Sequence, residues 1–149
     1  ADAYRDALIE RARALGIGAQ VLFAGTTDNV YPWLRSAQVF ALASRWEGSS
    51  IALLEAMAAG TPIVASRAAG DAADVLDHGR YGLLVDADDA KGFAAALLRQ
   101  MDDPVRPASR VDSFDAEAMM RAYHEVLMAA TARPDARARA KTGGTRPAP

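Results

Sequence analysis

Apolar positions along the chain follow two periods in alternation. Residues 3–15, AYRDALIERARAL, set Tyr4, Leu8 and Leu15 on one helical face, and Gly16 supplies a stop. VLFAG at 21–25 is a short continuous apolar run ending in glycine, which by length and flanks reads as a buried strand. VYPWLRSA at 30–37 reads as a short helix, with Pro32 tolerable only in its first turn. VFALA (39–43) is the next strand, SIALLEAMAA (50–59) the next helix, closed by Gly60, and PIVAS (62–66) a third strand. GDAADVLDHG follows as a short helix, with Asp71 placed to cap it and Gly79 past its end. LLV (83–85) is a fourth strand, and longer helices are predicted at about 89–101 and 116–130.

Short apolar strands alternating with helices at this spacing predict an α/β fold. The expected architecture is a Rossmann-like parallel sheet of about four strands flanked by helices. Ligands of such sheets bind beyond the carboxyl ends of the strands. Those ends fall at Gly25–Val30, Ala43–Ser50 and Ser66–Asp71.

The chain has 149 residues, enough for one domain with a real core, which the pattern places at residues 1–130. No run reaches the roughly 18 apolar residues of a membrane span, and the first ten residues lack the apolar core of a signal peptide. There is no cysteine, which excludes disulfides and thiolate metal sites. The net charge of −2 divides into +4 on residues 131–149 and −6 on the rest. An acidic body without a basic stripe excludes nucleic acid as a partner. The Pro/Gly/Ala/Arg-rich tail cannot build a core and is expected to be disordered and solvated, peripheral contact with an anionic membrane being the other option.

Two carboxylates need an explanation. Glu55 is the one charge on a helix of alanines, Ile51, Leu53, Leu54 and Met57, a composition that predicts burial on nearly all sides. It is either an exposed glutamate on an alanine-rich helix or a carboxylate facing a cleft, where it accepts hydrogen bonds from a ligand diol such as a ribose. Gly48, Ser49 and Ser50 lead into the same helix, whose first N–H groups and dipole favour an anion such as a diphosphate. An ordinary turn glycine and serine cap would look the same. Glu47, at the strand end, is a solvated loop charge or a contact to whatever the phosphates carry.

The whole segment, SRWEGSSIALLEAMAAGTPIVAS, resembles the E-x7-E signature of retaining glycosyltransferases of family 4, which have the GT-B fold. LGIGAQVLFAGTTDNVYPWLRSAQVFALAS before it and DVLDHGRYGLLVDADDAKGFAAAL after it resemble the same family, so the likeness covers about residues 4–128. It implies a partial C-terminal domain of a GT-B enzyme that binds a nucleoside-diphosphate sugar. The reaction implied is transfer of the sugar to an acceptor hydroxyl with retention of configuration, without metal or cofactor. By the same resemblance Glu47 is the catalytic carboxylate on the donor sugar, and the backbone of Gly48, Ser49 and Ser50 holds sugar or diphosphate oxygens. Glu55 takes the ribose hydroxyls, and Gly25, Asp28, Asn29 and Val30 form part of the nucleobase wall. A nucleotide-sugar epimerase of GT-B fold and a non-catalytic nucleotide-binding remnant are the alternatives.

The family's domain opens with two further strands and a helix that carry a diphosphate-clamping arginine and lysine, and it follows an acceptor-binding domain. None of these lies after Ala1. The expectation is therefore a fragment, inactive by itself, whose acceptor (a glycan, a lipid-linked glycan or a small molecule) is bound elsewhere. An uncovered sheet edge would make the isolated chain self-associate or only marginally stable. Asp71 and Asp74 stand where the family often has Gly-Pro and a glutamate; capping of the helix is the role expected of them. A cytoplasmic location, with peripheral membrane contact an option, completes the expectations.

Overall fold

A computed structural model describes residues 3–107 and 110–131. The basic tail, past Thr131, lies outside the described residues. The chain divides into two compact units, Ala1–Val30 and Tyr31–Pro149.

The first unit opens with α1 (Ala3–Ala14). Gly16 ends it at φ 71°, where glycine pays no Cβ penalty. Its N–H bonds Arg13 C=O at 2.9 Å and the Ile17 N–H bonds Ala12 C=O at 3.0 Å, a paired Schellman closure. A single 3-10 turn, Gly18–Gln20, leads into the run 21–25. Ile9 and Ala12 share a groove with Val21 and Phe23. The strand predicted at 21–25 is absent: the run has no ladder, and Leu22 is 75% exposed. The sheet has three strands among the described residues, not four. Hydrophobicity alone does not make a strand; each backbone N–H and C=O needs a neighbour to bond.

The second unit holds that sheet. β1 (Phe40–Leu42), β2 (Ile63–Ser66) and β3 (Leu83–Val85) are parallel and lie in chain order. Phe40 pairs with Ile63, and Val64 with Leu83. All four residues of central β2 are buried, as a parallel strand covered on both faces requires. Burying its Ile63 and Val64 contributes about 1.5–3 kcal/mol each.

Helix α2 (Tyr31–Ser36) packs on α3 (Ile51–Ala58), and the Thr61 hydroxyl donates to Leu34 C=O at 2.7 Å. α3 buries Leu53, Ala56 and Met57 but leaves Ile51 71% exposed, so it presents one face to the core rather than the nearly complete burial its composition suggested. α5 (Ala90–Asp102) packs on β2 and β3 and is capped by Asp89, whose Oδ1 accepts the Gly92 N–H at 2.8 Å. Its buried Gln100 donates to Ile63 C=O and accepts from Val105 N–H, at 2.8 and 2.7 Å. The helix expected over 70–79 is broken into α4 (Ala72–Val75) and a 3-10 turn at Asp77–Gly79, because Asp77 and His78 adopt φ of 48° and 53°. α6 (Ala116–Thr131) follows a 3-10 turn at Arg110–Phe114 and is exposed over residues 116–130.

Candidate functional site

The three strands end together at Leu42, Ser66 and Val85, and the segments that follow form one edge of the unit. Segment 43–50 is held from below by 67–71. Gly70 has φ 55°, and a Cβ built on it would collide with the Gly48 carbonyl oxygen and lie 2.9 Å from that of Glu47. Only glycine lets these backbones approach so closely. One residue further, Asp71 Oδ2 accepts the Ser49 hydroxyl at 2.8 Å, a link between positions 22 residues apart.

Glu47 is half-buried, with Oε1 accepting the Ser44 hydroxyl at 2.7 Å. That bond orients the carboxylate and leaves Oε2 for another donor. Gly48 opens onto free space: a Cβ there would meet nothing within 4 Å. Ser50 is buried at the N-cap of α3, but its side chain makes no capping bond; its carbonyl receives the N–H groups of Leu53 and Leu54. The N–H groups that open α3 are those a helix leaves unpaired, and their partial positive charge faces the loop. The Glu55 side chain, half-buried in the second turn, makes no hydrogen bond or ion pair among the described residues.

Glu47, Gly48, Ser49, Ser50 and Glu55 thus share one loop-and-helix segment at the carboxyl edge. Gly25, Asp28, Asn29 and Val30 lie on a loop of the first unit. There the Thr27 hydroxyl donates to Asn29 C=O at 3.1 Å and accepts the Asn29 N–H at 3.3 Å, which closes the turn. Capping by Asp71 is corrected: it occupies the N-cap position of α4 at φ −88°, ψ 13°, yet no α4 N–H bonds its side chain, whose Oδ2 accepts from Ser49 instead.

Sequence reasoning missed two arginines on this edge. Arg45 pairs with Asp88 at 2.9 Å, joining the segments after β1 and β3. Arg67 pairs with Asp86 at 3.6 Å and donates to Leu84 C=O at 3.4 Å. Both pairs are largely exposed, so each contributes about 0–1 kcal/mol, and the guanidinium groups exchange partners at little cost. Their positions just past two strand ends were the available signal. Among the described residues no cluster of His, Asp and Glu is arranged to hold a metal ion, and no helix is long and apolar enough to cross a membrane.

Residues 2–103 match the profile of a protein family described as glycosyl transferases group 1. The chain belongs to that family. The chain is similar to the lipopolysaccharide core biosynthesis glycosyltransferase LpsE of Rhizobium meliloti, 37% identical over an alignment of 131 residues that covers 83% of this chain and 38% of LpsE. Among solved structures, sucrose-phosphate synthase from Thermosynechococcus elongatus is 30% identical with a TM-score of 0.73, over 85% of this chain and 35% of that one. HepE of Anabaena in complex with UDP superposes with a TM-score of 0.75 at 24% identity, over 85% of this chain and 37% of that one. The fold is thus that of GT-B glycosyltransferases. The chain spans less than two fifths of the length of LpsE.

Proposed function

We propose that this chain supplies the donor side of a glycosyltransferase of family 4, which moves a sugar from a nucleoside diphosphate to an acceptor hydroxyl with retention of configuration. The observation that carries this reading is Glu55. Its half-buried carboxylate, without a partner among the described residues, sits a turn beyond the unpaired N–H groups of α3. Its oxygens are open to solvent here, and a ligand that excludes water from them must supply their hydrogen bonds in return. A ribose diol donates the two hydrogen bonds the carboxylate lacks, while the helix start receives the diphosphate. UDP bound in HepE is a ligand of this class.

In this reading Glu47, oriented by Ser44, accepts hydroxyls of the donor sugar. The bond between the anomeric carbon and the diphosphate oxygen breaks, and its electron pair leaves with the diphosphate. The acceptor oxygen bonds that carbon from the same face, and its proton passes to the departing phosphate. Negative charge on the leaving group is what must be stabilised, and preorganised N–H donors at Gly48–Ala52 do so without reorganisation. Arg45 and Arg67 stand on the same edge and supply cations once they leave their aspartates. No metal is required.

Equilibrium binding of UDP, GDP and ADP to the intact protein tests the reading. At least one binds, and Glu55→Ala weakens it more than about tenfold, as loss of charge-assisted bonds dictates. An unchanged dissociation constant removes Glu55 from the site.

A further inference from the structure

Resting on the donor-site reading, we infer that Asp71 is a positioning residue: through the Ser49 hydroxyl it fixes the loop whose backbone N–H groups meet the diphosphate. Two successive contacts tie segment 70–71 to this loop. The atoms closest to where a Cβ on Gly70 would sit are the carbonyl oxygens of Gly48 and Glu47, so both carbonyls point toward the 67–71 segment. In a planar trans peptide the following N–H points the opposite way. The N–H groups of Gly48 and Ser49 are therefore aimed away from Gly70, and a Cβ on Gly48 would itself meet nothing within 4 Å.

Rotation of either peptide would destroy that arrangement, and the Ser49–Asp71 bond opposes it. Asp71 gives up the usual role of an N-cap carboxylate to make this bond. Its Oδ1 is shielded from solvent without a partner, so among the described residues the Ser49 hydroxyl is the one side-chain donor the carboxylate has. It follows that the Ser49 hydroxyl, whose proton is committed to Asp71, does not donate to a diphosphate, and that Ser49 meets that group through its backbone N–H.

The test compares Ser49→Ala, Asp71→Ala and the double variant with the conservative Ser49→Thr and Asp71→Asn, all in the intact protein. Each alanine variant raises the Kd for UDP (or GDP or ADP, whichever wild type binds) by about tenfold, and the double variant does no worse than the weaker single one. Ser49→Thr and Asp71→Asn, which keep donor and acceptor, stay within about twofold of wild type. Amide exchange at residues 48–50 of the free protein quickens in the alanine variants only. A merely structural role would lower the unfolding midpoint and leave Kd and loop exchange alone; that result, or fully additive losses, overturns the role of Asp71. A wild type that binds none of the three nucleotides overturns the donor-site reading, and this role with it.

Discussion

Two stretches of this chain look alike in sequence and differ in structure. VLFAG at 21–25 and PIVAS at 62–66 are both five-residue runs of apolar character next to glycine or proline. The second lies at the centre of a parallel ladder with every residue of Ile63–Ser66 buried, whereas the first has no ladder and exposes Leu22. Periodicity reports which side chains prefer to leave water. It does not report whether a neighbouring strand is present to take the backbone, and for parallel strands that neighbour is always distant in sequence.

The contrast yields an ordered set of expectations for unfolding in urea. Ile63→Ala, in the ladder, costs about 4 kcal/mol, the transfer and cavity terms acting together. Gly70→Ala costs about 3 kcal/mol, since it combines a left-handed backbone with a collision at the loop after β1. Gln100→Leu costs about 2 kcal/mol, because Ile63 C=O and Val105 N–H each lose a buried partner. Leu22→Ala costs less than about 0.5 kcal/mol, as an exposed side chain outside any ladder should. An effect at Leu22 comparable to that at Ile63 would break the comparison and put a covered strand at 21–25.

Much of the second unit was legible. Ala90–Asp102 and Ala116–Thr131 match their predicted helices to within a residue or two, because amphipathic period and caps are local signals. The placement of Glu47 in the loop and Glu55 on the helix that follows was legible from the apolar pattern. What escaped was set by contacts across the chain. Gly70 reads as one more loop glycine until its φ and the carbonyls above it are known. Asp71 reads as a cap, since Asp before a short helix has that local preference, and a hydroxyl 22 residues away displaces it. The break at Asp77 and His78 has a similar origin: helical composition gave no warning of two left-handed residues.

The account's central claim is that the segment from Glu47 to Glu55 binds the nucleoside diphosphate. Amide hydrogen exchange of the intact protein, with and without saturating UDP, GDP or ADP, tests it most directly. The account predicts slowed exchange concentrated at residues 48–52, where loop and helix N–H groups take up the diphosphate. Protection confined to other segments, or a bound nucleotide that leaves these amides unchanged, would contradict it.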